Sequence, residues 1–333
     1  MRKLLSVLGI ILVFSVGYLL IAYHSKTDLG DRVVSIIIQP GDSFQAVADQ
    51  VLAAQIVKSR LMLDYPARIR EIDKKLISGR YDFTGQNSCR SVLDKLEAGD
   101  FVRKKLTVYE GAPVWKVASL LSEHLEMDSA LVMAFNSDTT FCASLGVPCL
   151  EGYLFPETYF IKWGTELPDI LADMVGMYLQ QTEGIWPDSI PNSLSHTDVI
   201  ILASIIEAEA MLSEEMPQIA SVYHNRLRRR MKLDADPTVI YGLGGLDRPL
   251  MRRDLRKETP YNTYRSRGLP PTPINSPGLK AIKAAIAPDS SEYLYFVADG
   301  SGGHRFSRTN AEHNRARRDI KKQMRSSGNS NGR

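Results

Sequence analysis

Cysteine is scarce in this chain: Cys89, Cys142 and Cys149 are its only three. They form no CxxC pair and sit in no Cys/His cluster, so a zinc site of the usual spacing is excluded. Cys142 and Cys149, with Gly146 and Pro148 between them, would suit a small disulfide loop in an oxidising compartment, leaving Cys89 over. Other signatures are missing too: no GxxxxGK[ST] phosphate loop, no HExxH zinc motif and no GxSxG elbow occurs. The histidines are scattered, and His304 and His313, the nearest pair, read as structural. No metal and no cofactor is therefore expected. A net charge of only +3 gives no nucleic-acid signal. With 333 residues, 44% of them apolar and 24% charged, the chain has the composition of a globular protein of two or three units.

Charge is also missing from Leu4 to Ala22, directly after Arg2-Lys3. At about 1.5 Å per residue this run nearly spans a hydrocarbon core of roughly 30 Å. It ends in Tyr23, a residue suited to the membrane interface, and no small-x-small cleavage site follows. The expectation is a single-pass anchor over residues 4–23 rather than a cleaved signal peptide. Residues 1–3 would be cytoplasmic, because the positive charges precede the span, and the remainder would lie outside.

Next comes a small α/β region over residues 30–110. Val33–Gln39 reads as a strand, Pro40-Gly41-Asp42-Ser43 as a turn ending in an N-cap, and Phe44, Val47, Ala48, Val51 and Leu52 as one helix face. A short helix over Arg60–Arg68, a strand over Ser78–Phe83, a helix over Ser91–Ala98 and a strand over Phe101–Tyr109 follow. The Pro-Gly-Asp-Ser opening resembles a LysM module, a small glycan-binding fold; a plain packing domain is the alternative. Glu110-Gly111-Ala112-Pro113 breaks the pattern and marks a domain boundary.

Residues 111–325 read as mostly helical, with helices over Val114–His124, Pro168–Gln181, Thr197–Met211 and Glu214–Met231, the last capped by Ser213. Lys232–Pro277 is a long irregular segment rich in Gly and Pro, yet it carries Tyr241, Tyr261 and Tyr264, which argues for a functional loop rather than disorder. A helix over Leu279–Ala287, a strand over Tyr293–Val297, a turn over Gly300–Gly303 and a last helix from Thr309 complete the region. A Ser/Gly/Asn tail, residues 326–333, is expected to be disordered. The fold class is α+β: an N-terminal transmembrane helix, a small LysM-like α/β subdomain, then a mostly helical domain with a small β element and long loops.

With metals and common nucleophile motifs set aside, carboxylates remain. Val199-Ile200-Ile201-Leu202 leads into Ala203-Ser204-Ile205-Ile206-Glu207-Ala208-Glu209-Ala210, so two glutamates end a helix that reads as buried. Desolvation raises a carboxyl pKa, and a carboxylic acid still protonated near neutral pH is a general acid. Two residues apart on a helix, Glu207 and Glu209 point about 200° away from each other and cannot form one acid/base pair. Glu209 follows the more apolar stripe and is favoured as the acid. Glu207 would support it by orienting a loop or bonding to backbone, unless the helix has simply reached solvent there.

Three blocks then occur in order: Glu151-Gly152-Tyr153-Leu154-Phe155-Pro156-Glu157-Thr158-Tyr159, Ser221-Val222-Tyr223-His224-Asn225-Arg226-Leu227, and Asp236-Pro237-Thr238-Val239-Ile240-Tyr241-Gly242. Pro260-Tyr261-Asn262-Thr263-Tyr264, Gly268-Leu269-Pro270-Pro271-Thr272-Pro273-Ile274 and Tyr295-Phe296-Val297-Ala298 follow. Together they resemble the YceG-like (MltG) family, the endolytic murein transglycosylases of bacteria. The resemblance implies an inner-membrane anchor, a LysM-like subdomain and a periplasmic catalytic domain that cleaves nascent peptidoglycan between N-acetylmuramic acid and N-acetylglucosamine, leaving 1,6-anhydro ends. It also implies association with peptidoglycan synthases (penicillin-binding proteins). The second glutamate of the family motif is the catalytic one and falls on Glu209. Relatives often carry Lys where this chain has Ala208, which removes a charge that could tune either carboxylate. Asn225, Asp236, Thr238, Tyr241, Tyr261, Asn262, Thr263 and Tyr264 are the substrate-binding candidates, with loop structuring as the other role open to each. The rival readings are a non-catalytic peptidoglycan-binding scaffold and a water-using muramidase.

Overall fold

The computed structural model describes the backbone of residues 2–328 and the side chains of residues 9–11 and 13–324. The chain forms two compact units, one running to Lys105 and including Phe160–Thr165, the other comprising Leu106–Tyr159 and the chain from Glu166 onward. The division falls within the strand Arg103–Thr107, earlier than the Glu110–Pro113 break in the sequence pattern. Helix and strand are mixed throughout, as expected for an α+β chain.

In the first unit, the strand Val34–Ile38, the helices Phe44–Ala53 and Arg60–Ile69, and the strand Gly79–Phe83 follow in that order. The two strands pair antiparallel, Val34 opposite Phe83 and Ile38 opposite Gly79. Strand periodicity sends Tyr81 and Phe83 inward to meet Ile36, Val47, Val51, Leu63, Val92, Leu93 and Leu96 in one buried core. Serines start the helices. Ser43 accepts the Ala46 N–H, Ser59 the Met62 N–H, and Ser88 shares a reciprocal capping box with Ser91. A helix also covers Arg2–His24. Among the described residues no helix is long and apolar enough to cross a membrane; part of the expected anchor, residues 4–8 and 12, lies outside the described side chains.

The second unit is dominated by helices, among them Val114–Leu125, Leu167–Thr182, His196–Glu209, Met216–Arg228, Asp236–Gly242 and Leu279–Ile286. Every residue from Val199 to Ile206 is buried and all but Ser204 are apolar, so the His196–Glu209 helix is covered on all sides and forms the centre of this unit. Ser195 and Asp198 cap its start reciprocally.

Several expectations change. The helix expected from Glu214 begins instead at Met216, after a tight turn over Ser213–Glu215. Pro217 explains the shift, since proline fits only the first turn, where its missing N–H is not needed. Two short helices, Ser129–Ser137 and Thr139–Ser144, lie where no periodicity signalled them, started by Asp128 and Asp138 side chains that accept backbone N–H groups. The strand Tyr295–Ala298 pairs antiparallel with a second strand, His304–Ser307, across the expected turn. The last helix reaches Gly328, and the rest of the expected tail, residues 329–333, lies outside the described residues.

The disulfide between Cys142 and Cys149 is not formed: all three cysteines are free thiols. The Cys142 thiol lies 3.4 Å from the Phe135 carbonyl and the Cys149 thiol 3.4 Å from that of Glu151, so each sulfur meets a backbone acceptor instead of the other sulfur. Burial pushes the Cys149 thiol up to about 12, which keeps it protonated.

Candidate active site

Glu207 and Glu209 end the buried helix, and their side chains meet different surroundings. Oε2 of Glu207 accepts the Gly278 N–H at 2.9 Å. The backbone around that contact is pinned to the same helix and to the chain before Val114. The hydroxyl of Ser204 accepts the Ile274 N–H at 3.0 Å, and the Ser204 carbonyl accepts the Asn275 amide at 2.8 Å. Gly111 N–H donates to the Ser276 carbonyl, and Ser276 N–H to that of Ala112. Burial raises the Glu207 pKa, opposed by the Gly278 N–H.

Glu209 remains partly exposed. Its Oε1 accepts the hydroxyl of Tyr223 at 3.2 Å. Burial, and then the charge of Asp236, push the carboxyl up to about 7, against the Tyr223 hydroxyl and the positive charge of Arg226. A carboxyl in this state is divided between acid and base near neutral pH, which suits a group that must give and then recover a proton. Tyr223 is buried with its ring edge-on to Phe296, centroids 5.9 Å apart. Asp236 is exposed, and its Oδ1 accepts the Tyr264 hydroxyl at 2.7 Å.

Arg226 is the buried cation of this region. Its Nε donates to the Leu294 carbonyl at 2.7 Å, and its Nη1 to that of Leu233 at 2.7 Å and, more weakly, to Lys232 and Asp234. The Nη1 bonds go to the loop that starts the irregular segment and the Nε bond to the chain before the strand Tyr295–Ala298, so the guanidinium acts on Glu209 through its field.

The substrate-binding candidates separate into two groups. Asn225, Thr238, Asn262 and Thr263 are buried, and their polar atoms bond to the protein itself. The Asn225 amide donates to the carbonyls of Ser291 and Tyr293, and that of Asn262 to those of Leu255 and Lys257. The hydroxyls of Thr238 and Thr263 lie 2.9 Å apart, over the backbone of Ala235. The bonds of Asn262, Thr238 and Thr263 explain how Lys232–Pro277 stays ordered with little regular structure, since its backbone groups need partners. An ion pair between Arg248 and the buried Asp254 does the same work, with bonds of 2.7 and 2.9 Å. Asp236, Tyr241, Tyr261 and Tyr264 keep exposed surface.

Two further groups stand out structurally and had no periodic signal. Tyr223 lies inside a family-like block but was no site candidate. Glu151 is buried, accepts the Tyr241 hydroxyl at 2.8 Å, and is pushed up to about 7 by burial. Among the described residues no cluster of His, Cys, Asp and Glu could hold a metal ion.

The YceG-like family model matches residues 36–319. A Bacillus subtilis (strain 168) protein named endolytic murein transglycosylase is 32% identical over 302 residues, covering 85% of this chain and 84% of that protein. A protein of the same name from Streptococcus pneumoniae serotype 2 (strain D39 / NCTC 7466) is 27% identical over 314 residues, covering 84% of this chain but 57% of its own length. The crystal structure of a YceG-like protein from Listeria monocytogenes superposes with a TM-score of 0.56 at 28% identity, covering 85% of this chain and 98% of that one. With a family match over most of its length, a relative 32% identical and a shared fold, the chain belongs to the YceG-like family.

Proposed function

We propose that this chain is an endolytic murein transglycosylase, with Glu209 as its single general acid and base. The observation that carries the reading is a partly exposed glutamate at the end of a buried helix, held near neutral pKa and bonded to Tyr223. The names of the Bacillus and Streptococcus relatives support the reaction class. Protonated Glu209 gives its proton to the oxygen linking N-acetylmuramic acid to N-acetylglucosamine, and that C–O bond breaks. The resulting carboxylate takes the proton of the muramyl C6 hydroxyl as its oxygen bonds to C1. A 1,6-anhydro end forms, no water is consumed, and Glu209 ends as it began. The 2-acetamido group of the sugar supports the electron-poor C1, so no second protein carboxylate is required, as in substrate-assisted glycosidases. Proton transfer by a placed side chain contributes about 10² to 10⁴ in rate. Glu207, bonded to Gly278, supports the acid indirectly by tying the loop there to the end of the helix.

The N-terminal helix would hold the chain in the bacterial inner membrane, with its N-terminus in the cytoplasm and the catalytic unit in the periplasm. The uncharged run from Leu4 to Ala22 and the exposed Ile10, Ile11, Val13 and Phe14 support this placement. The strand–helix–helix–strand order of residues 34–83 supports a LysM-like, glycan-binding role for the first unit. Peptidoglycan synthases would supply the nascent strand.

Mass analysis of products released from purified sacculi tests the reaction. Anhydromuramyl ends are expected. Reducing ends would instead mean a water-using muramidase, and no cleavage would mean a scaffold.

A further inference from the structure

Glu151 is an ionisable group that the reaction above leaves unused. Its carboxyl is 1% exposed and sits at the start of the Val114–Leu125 helix. Its two oxygens share the Val114 N–H at 3.1 and 3.2 Å, and Oε2 accepts the Tyr241 hydroxyl at 2.8 Å. The backbone that presents it is also held, because Asn136 Oδ1 accepts the N–H groups of Leu150 and Glu151 at 3.1 and 2.9 Å. A buried carboxyl held by two fixed partners, on a backbone that is itself held, is a rigid anchor point.

What it anchors is an aromatic ring. Tyr241 lies with its centroid 4.9 Å from that of Trp115 and 4.8 Å from that of Tyr261, at tilts of 35° and 58°. The Tyr261 hydroxyl is tied to that of Thr272 at 2.8 Å. Gly242 permits this approach: a Cβ there would come within 2.6 Å of Thr259 Oγ1 and 3.0 Å of Tyr261 Cβ. All three rings keep exposed surface. The short helix Asp236–Gly242 carries Asp236, whose charge acts on Glu209, in its first turn and Tyr241 in its last. Five residues of helix rise about 7.5 Å, so Tyr241 stands that far along the helix axis from Asp236. Fixed aromatic faces offer a large apolar surface at little cost in conformational entropy, which suits the apolar C–H face of a pyranose.

We propose that Glu151 is a positioning residue that locks Tyr241, so that Trp115, Tyr241 and Tyr261 present one aromatic face that stacks a sugar ring of the glycan strand. The inference rests on the transglycosylase reading and adds a binding subsite to it.

The test uses the full chain and peptide-free strands of alternating N-acetylglucosamine and N-acetylmuramic acid. Release of anhydro ends gives kcat and KM, and calorimetry in a Glu209→Gln background gives binding directly. Trp115→Ala is expected to raise KM and weaken binding about tenfold, the size of one lost aromatic contact. Glu151→Gln and Tyr241→Phe are each expected to raise KM about threefold, and the double variant no further, because both act through one bond. A Glu151 that merely stabilised the fold would lower the melting temperature without that coupling in KM. Unchanged KM and binding in a folded Trp115→Ala chain, or additive effects in the double variant, overturn the inference while the transglycosylase reading stands. If the parent chain binds strands, loses binding in Trp115→Ala and releases no anhydro ends, the subsite stands and the reaction assignment falls. A parent chain that does not bind strands overturns the subsite.

Discussion

The hydroxyl of Tyr223 donates to Oε1 of Glu209 at 3.2 Å, from a helix that packs beside the one ending in the glutamate. That bond favours the ionised carboxyl, so its loss raises the Glu209 pKa. Tyr223→Phe keeps the ring against Phe296 and removes only the donor. The alkaline limb of the kcat/KM pH profile, which sits near pH 7 for an acid that must be protonated to act, is expected to move upward by less than about one unit.

Asp236 acts in the opposite sense, because its charge is one of the causes that raise Glu209. In Asp236→Asn the neutral amide still accepts the Tyr264 hydroxyl, and the like charge is gone. The alkaline limb should then move down, so that less of the enzyme is protonated at pH 7 and the rate there falls. Two variants with shifts of opposite sign on one carboxyl identify Glu209 as the titrating group. The same shift from both would contradict the assignment.

Stability should carry the same signature. Glu209 keeps its proton in the folded chain to about pH 7, whereas its ordinary value is 4.5. Between those values the folded state binds the extra proton, so this group's contribution to stability is present at low pH and is lost as pH rises through about 7. Glu209→Gln removes the burden of an ionised, poorly hydrated carboxylate. It is expected to be more stable than the parent at pH 8 by on the order of 1–3 kcal/mol, read from denaturant midpoints, with the gain vanishing near pH 4.

Gly152 joins the Glu151 backbone to the loop that covers the central helix. Its φ is +88°, and a Cβ there would lie 2.5 Å from Pro273 and 3.1 Å from Ile200. Gly152→Ala combines a strained left-handed residue with overpacking, for an expected loss of about 2–4 kcal/mol in chemical denaturation.

The free thiols make a simpler prediction. Cys142→Ser and Cys149→Ser should leave the difference between reduced and non-reduced melting temperatures at zero, as in the parent. A disulfide would make the oxidised parent more stable by about 2–4 kcal/mol.

Much of this site was legible because it follows local rules. The apolar run from Val199 to Ile206 marked a buried helix, and the glutamates after it stood out as charges at its end. The Ser43 cap and a strand ending at Phe83 were equally plain. What was not legible depends on contacts between distant segments. Nothing in the spacing of Glu151 and Tyr241 links two residues ninety apart. The order of Lys232–Pro277 comes from Arg226, Asn262 and Ser204 bonding to its backbone, and a pattern of prolines and glycines carries no trace of those partners. For the buried amides and threonines, chemical type alone does not distinguish a group that faces a substrate from one that closes a loop.

The most direct test of the central claim is the product profile of Glu209→Gln on purified sacculi, measured by mass beside the parent chain and Glu207→Gln. The account predicts that Glu209→Gln folds, melts no lower than the parent, and loses anhydromuramyl release by at least about 100-fold, while Glu207→Gln retains part of it. Anhydromuramyl ends released by Glu209→Gln at the parent's rate, or lost only in Glu207→Gln, would contradict it.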